Sequence, residues 1–231
     1  MKAYLKETKL LDFTAPSIQD LIISRGWNQL EEKEKIGAVY DFVRNEIKFG
    51  YNEKDDITAS EVLRDGYGQC NTKSILLMAL LRAVGIPCRI HGFFIDKKMQ
   101  KGALTGFIYL FAPKKIVHAW TEVYFNNRWI TLEGVIIDDK YLNQVKDRLC
   151  NFNKGYIGYG VSVEDKNKIN TCWQGQNTYI QSFSITDDLG IFNSPDDFFS
   201  QYNNTSNKIK KFLFNVLRKK VNKKLNLIRN G

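Results

Sequence analysis

The run Ser74-Ile75-Leu76-Leu77-Met78-Ala79-Leu80-Leu81 constrains this chain more than any other segment. It is apolar around its whole circumference, so it predicts a buried helix over residues 70–84, capped by Gly85 and kept from continuing by Pro87. Directly ahead stands Gly66-Tyr67-Gly68-Gln69-Cys70-Asn71. The glycines loosen the chain and deliver Cys70 to the first turn of that helix. A helix N-terminus carries partial positive charge from N–H groups that have no intrahelical partner, and its field favours thiolate over thiol. To become an acyl-transfer nucleophile, a thiolate also needs a base and an acid that orients the base.

Helices are predicted ahead of this segment and strands after it. Residues 16–23 read as a short helix ended near Gly26. Ile36, Val39, Tyr40, Val43 and Ile47 recur at helical spacing and mark an amphipathic helix over 31–47. Thr58-x-x-Glu61 is a capping box for a short helix through Arg64. Beyond Pro87 the pattern predicts strands over 88–95, 105–111, 116–125 and 128–137. The last two flank Asn126-Asn127, a pair that tolerates the positive φ of a tight hairpin turn. Residues 138–176 read as loop with some helix near 140–149, residues 178–185 as a strand, and 195–203 as a short helix. Helices followed by sequential strands predict an α+β fold with an antiparallel sheet.

The hairpin predicts a constellation. If Asn126-Asn127 is a two-residue loop, Phe125 pairs with Arg128, and Trp120 falls opposite Glu133. Side chains alternate along a strand, so Ile116, His118, Trp120, Glu122 and Tyr124 share a face with Trp129, Thr131, Glu133, Val135 and Ile137. Val117, Ala119, Val123, Phe125, Ile130, Leu132 and Ile136 then form the core face. His118 and Glu133 become diagonal neighbours across the strands, within reach of long side chains. A carboxylate there fixes the tautomer of His118 and stabilises its imidazolium. Glu122 is a competing acid on the same face. Cys70 is thus expected to attack a carbonyl carbon, with its own backbone N–H donating to the oxyanion and His118 protonating the leaving amine. Tyr51 and Gln69 are candidates for a second oxyanion donor, and Trp120 for packing beside the cleft.

At 231 residues and 43% apolar content the chain has enough material for one sizeable core. The start lacks an apolar signal-peptide core, and no apolar stretch approaches the ~20 residues of a membrane helix. Cys70, Cys88, Cys150 and Cys172 stand far apart, which fits neither a disulfide framework nor a zinc site; a reducing, cytoplasmic compartment is expected, with no cofactor. The net charge of +9 is concentrated: residues 207–231 hold nine basic residues and no acidic one, leaving 25 basic against 25 acidic elsewhere. Ile209, Phe212, Leu213, Val216, Leu217 and Val221 recur at helical spacing within this tail. The tail is expected to dock as a helix with a solvated basic face, able to touch an anionic surface; no motif points to nucleic acid.

The motifs Tyr67-Gly68-Gln69-Cys70, Gly85-Ile86-Pro87-Cys88-Arg89 and His118-Ala119-Trp120-Thr121-Glu122-Val123-Tyr124, followed by Trp129 and an acidic residue four positions later, resemble the transglutaminase-like superfamily of thiol enzymes. The resemblance covers about residues 35–137. It implies a papain-like α+β fold, a single domain over 1–206 with the helix 207–231 appended, and a small stand-alone bacterial-type member. It assigns the nucleophile to Cys70, the base to His118 and the third position to Glu133, where the family usually has aspartate. The implied substrate is a protein or peptide amide, glutamine included. Water as acceptor gives hydrolysis and an amine gives transamidation, and the residues leave that choice open. The superfamily also contains inactive binding domains, so a silent module recruited by its basic tail is the alternative.

Overall fold

The computed structural model describes residues 1–152, 154–202 and 208–231, with the backbone alone for 208–216. Three helices precede the central one: α1 (Pro16–Arg25), α2 (Glu32–Asn45) and, after the two-residue strand β1 (Lys48–Phe49), α3 (Ala59–Asp65). Gly26 takes the left-handed conformation that ends α1, and the Thr58/Glu61 capping box is formed in full. Strand β2 (Tyr67–Gly68) pairs in parallel with β1 and leads into α4 (Cys70–Ala83). Residues 75–81 of α4 are all buried, with α2, α3 and the strand Lys115–Phe125 around it. Cys70 is the first residue of this helix, as the glycine turn predicts.

Beyond Pro87 the chain builds a four-stranded antiparallel sheet. Strand β3 (Cys88–Asp96) is followed by the exposed helix α5 (Gly106–Phe111), then β4 (Lys115–Phe125) and β5 (Arg128–Thr131). Asn126 and Asn127 both have positive φ, and β4 pairs with β5 in the predicted register, Phe125 opposite Arg128. Helix α6 (Asp139–Val145) leads into a small sheet of β6 (Cys150–Phe152), β7 (Gly155–Gly158) and β8 (Val161–Val163). Strand β9 (Ile185–Phe192) completes the main sheet, ordered β5-β4-β3-β9, and helices α7 (Pro195–Gln201) and α8 (Lys208–Asn230) follow. Among the described residues no helix is long and apolar enough to cross a membrane.

Four expectations require correction. In place of the strand expected over 105–111, Thr105 caps α5 and residues 106–111 form it, because β3 pairs directly with β4 and leaves no sheet edge between them for another strand. The hairpin strand expected over 128–137 ends at Thr131, and a 3-10 turn over Glu133–Ile136 takes its place. Val135 and Ile137 are therefore buried instead of sharing the face of His118. The strand expected over 178–185 begins only at Ile185, and the loop expected over 138–176 contains the small sheet.

The C-terminal helix docks on the body. Val221 and Leu225 are buried, Arg229 forms a buried ion pair with Asp138, and Asn222 pairs through its side-chain amide with both N–H and C=O of Tyr51. The expected apolar positions Ile209, Phe212, Leu213 and Val216 lie outside the residues whose side chains are described.

Candidate active site

The early end of β5 shapes the site. Backbone groups of an antiparallel strand point alternately to its two neighbours. Thr121 still accepts from Leu132 across the β4–β5 ladder (2.9 Å), so the carbonyls of Ala119 and Val117 point the same way, to the side that β5 has left. The first turn of α4 fills that gap. Ser74 Oγ donates to the Ala119 carbonyl (3.3 Å) and Asn71 Nδ2 to the Val117 carbonyl (3.1 Å). These two bonds bracket His118 and fix Cys70, adjacent to Asn71, against it. Neither Asn71 nor Ser74 is singled out by the sequence motifs; a polar pair inside an apolar helix was the available signal.

Glu133 reaches His118 by a different path from the one the hairpin register predicts. The chain turns at Leu132 and the 3-10 turn carries Glu133 beneath the imidazole. Glu133 Oε1 lies 3.1 Å from His118 Nε2, and both side chains are fully buried. Glu133 Oε2 accepts from the backbone N–H groups of Ile180 (2.8 Å), Gln181 (3.1 Å) and Ser182 (3.2 Å). The carboxylate is thereby anchored at both oxygens, and its extra methylene relative to aspartate spans from the turn to the ring. Gly134 permits this approach: a Cβ there would come within 2.6 Å of the Tyr40 hydroxyl and 2.8 Å of Thr178 Cβ.

His118 is thus held by Glu133 at Nε2, and its Nδ1 is left for Cys70. Nδ1 is buried and has no hydrogen-bond partner of normal geometry. Burial opposes the charged ring, but the neighbouring Cys70 and Glu133 outweigh it and push the His118 pKa up to about 9. Cys70 is buried but keeps slight exposure (8%), whereas His118 and Glu133 have none.

The other sequence candidates fall into three places. Gln69 caps α4: its Oε1 accepts from Asn52 N–H (2.9 Å) and its Nε2 donates to Asp55 (2.8 Å), so its amide supports the turn. Tyr51 is buried near Cys70, and burial raises its pKa first, with the Cys70 charge adding to the effect. Trp120 packs on Phe93 with ring centroids 4.0 Å apart and meets His118 edge-on at 6.1 Å. Glu122, the competing acid, is engaged elsewhere, by Arg89 (2.7 Å) and by His91 Nδ1 (3.0 Å). His91 also meets Asp188 through Nε2 (2.9 Å), so it pairs locally and ties β3 to both flanking strands. Trp173 packs on Phe125 and donates to the Lys33 carbonyl (2.9 Å). Among the described residues all four cysteines are free.

A helix-initiating cysteine set against a histidine on the neighbouring sheet, with an acid behind the ring, defines a papain-like α+β fold of the transglutaminase type. Residues 23–134 match the family model of the transglutaminase-like superfamily, and the chain carries a core of that superfamily. It is similar to a Bacillus subtilis (strain 168) protein described as uncharacterised protein YebA, with 28% identity over 110 residues. That alignment takes in 43% of this chain and 15% of the relative, so the chain spans a small part of that protein's length. Among solved structures, a candidate cysteine protease from Cytophaga hutchinsonii aligns with 84% of this chain and 47% of its own at 15% identity and a TM-score of 0.46. A candidate protease from Parabacteroides distasonis ATCC 8503 aligns with 56% of this chain and 25% of its own at 17% identity and a TM-score of 0.36.

Proposed function

We propose that this chain is a thiol enzyme that opens amide bonds through an acyl-cysteine intermediate, with Cys70 as nucleophile, His118 as proton carrier and Glu133 as the group that orients it. One observation carries the reading: His118 stands between Cys70 and a carboxylate that is itself locked by three backbone N–H groups. Glu133 holds the Nε2 proton, so Nδ1 is the nitrogen that exchanges a proton with the reaction.

The steps follow from that tautomer. Cys70 Sγ attacks the amide carbon, the C=O π pair moves onto oxygen, and the N–H groups at the start of α4 stabilise the oxyanion. Collapse breaks the C–N bond as Nδ1 delivers its proton to the leaving amine. Nδ1 then takes a proton from water or an amine, which attacks the thioester and releases Cys70. Water yields an acid and an amine yields a new amide. The substrate class proposed is a protein or peptide amide, met in a reducing, cytoplasmic compartment where Cys70 remains a thiol.

Labelling of Cys70 by iodoacetamide, followed by peptide mass spectrometry across pH, tests the assignment. A thiolate held by an imidazolium reacts at a rate that plateaus below pH ~7, and His118→Ala abolishes the plateau. A rate that simply rises around pH ~8.5 in both proteins would refute the nucleophile assignment and favour a silent binding module, a reading to which the low exposure of Cys70 lends support.

A further inference from the structure

The feature left over by the candidate site is α5. It carries Phe107, Leu110 and Phe111 at positions one helical turn apart, and these side chains are 75%, 65% and 53% exposed. Ile108, Tyr109 and Ala112 on the other side pack against the core, so the outward face is apolar by placement and not by fraying. Exposed large apolar side chains occur singly on most surfaces; three together on one short helix mark a contact face.

The charge around this face identifies its partner. Residues 97–115 contain five lysines and no acidic residue, and residues 207–231 contain nine basic residues and no acidic one. Tertiary structure brings these two distant stretches together, because Lys224 Nζ donates to the Gly102 carbonyl (2.6 Å) in the loop leading to α5. Lys220 lies one turn earlier and Leu227, 64% exposed, nearly one turn later, along the same flank of α8. Outside these two stretches the chain holds 20 basic residues against all 25 acidic ones, so the excess positive charge of the chain is concentrated in them. Lys115 and Lys98 are paired with Asp187 and Asp96 at the rim, and the remaining lysines carry the attraction.

The end of α5 is also prepared for a low-dielectric setting. Lys97 Nζ donates to the carbonyls of Tyr109 (3.2 Å), Leu110 (3.2 Å) and Ala112 (3.1 Å). Backbone groups that enter lipid must find partners inside the protein, and these last carbonyls already have one. An apolar helix face set among lysines is the pattern of an interfacial anchor. We infer that Phe107, Leu110 and Phe111 insert into the interfacial layer of an anionic lipid bilayer, with the lysines of 97–115 and Lys220 and Lys224 of α8 held against its headgroups. This anchor is independent of the thiol chemistry and stands or falls separately from it.

The test is co-sedimentation of the full chain with vesicles of phosphatidylcholine alone or containing 30% phosphatidylserine. The expected result is binding to the anionic vesicles at least about tenfold tighter than to neutral ones, and weaker binding in 0.5 M salt. Phe107→Ser/Leu110→Ser/Phe111→Ser, whose side chains face solvent, should keep the thermal midpoint and lose at least about tenfold in partitioning. As a second measurement, the indole introduced by Phe107→Trp, read as the difference from wild-type emission, should shift to the blue and be quenched by brominated lipid when anionic vesicles are added. Lack of binding to the anionic vesicles, or binding that the triple variant leaves unchanged, would overturn the inference. So would a difference emission of the Phe107→Trp variant that the vesicles leave unshifted, or retention on single-stranded RNA that exceeds vesicle binding and is equal in wild type and the triple variant.

Discussion

Replacing Glu133 by Gln changes charge while keeping shape. In the folded protein the Gln carbonyl oxygen stays with the N–H groups of Ile180, Gln181 and Ser182, which only donate. Its NH₂ group then faces His118 Nε2, and two donors cannot share that bond. The ring must surrender its Nε2 proton or lose its partner, and either outcome removes the oriented imidazolium. Exchanging charge-assisted for neutral hydrogen bonds costs about 1 kcal/mol each, or about 4 kcal/mol over the four bonds of this carboxylate. An upper bound on the share that acts through the ring comes from linkage: a ring with a pKa near 9 in the folded state and 6.5 unfolded contributes about 3 kcal/mol when charged, and Cys70, the larger cause of the rise, keeps its part in the variant. That stability is fully present below pH 6.5 and is lost as pH rises through about 9. Urea unfolding of both proteins should therefore show wild type ahead by about 3–4 kcal/mol at pH 6, with the gap narrowing by pH 9.5. Cys70 labelling at pH 6.5 should fall at least about tenfold in the variant. A gap under ~0.5 kcal/mol at pH 6, or one that widens with pH, would refute the reasoning.

Two other perturbations follow from buried charges near the site. Lys73, fully buried on α4 and donating to the Arg44 carbonyl (3.0 Å), has its pKa lowered to about 7 by burial, against the opposing charge of Asp138. The unfolded state therefore binds more protons between pH 7 and 10.5, so this residue makes stability rise with pH over that window. Lys73→Met should stabilise the protein by on the order of 2 kcal/mol at pH 7 and flatten the rise, as read by denaturant titration at several pH values. Arg229 holds Asp138 through bonds of 3.0 and 2.8 Å, while Asp138 also accepts from Phe49 N–H and caps α6 through Tyr141 N–H. Burial alone would raise the Asp138 pKa, but these partners outweigh it and hold the group below the usual carboxylate range. Its contribution is present above the unfolded value and lost as pH falls through the folded one. Arg229→Ala should cost about 3–5 kcal/mol and move acid unfolding, followed by circular dichroism, to higher pH.

Local chemistry made much of this architecture readable from the residues. Gly26, the Thr58/Glu61 box and Asn126-Asn127 each dictate a backbone conformation without help from distant parts of the chain, and each is found as expected. The glycine turn ahead of an all-apolar helix is of the same kind, and it fixes Cys70 at the start of α4. Residues 105–111 misled for the opposite reason. Phe, Ile, Tyr and Leu suit a strand, but a strand needs an unoccupied sheet edge, and β3 and β4 had already closed theirs. Propensity measures fit to a pleated surface, and whether such a surface is available is a tertiary fact.

The same division runs through the site. The sequence by itself determined which residues meet: a thiol at a helix start, and a histidine and an acid on the two arms of one hairpin. Only the tertiary structure decided how. Alternation along two ideal strands would have made His118 and Glu133 diagonal neighbours on an open face. Instead the ladder stops after the Leu132–Thr121 bond, because the loop over residues 177–182 lines the outer edge of β5, where Asn177 Oδ1 accepts from Thr131 N–H and Thr178 N–H donates to the Thr131 carbonyl, and its backbone N–H groups at 180–182 draw the Glu133 carboxylate out of the strand's line. The vacated carbonyls of Val117 and Ala119 then receive Asn71 and Ser74, which brings the helix carrying Cys70 against His118. A strand's inward and outward pattern is written in its own residues, whereas the point at which it stops pairing is set by what else in the fold can satisfy its backbone groups.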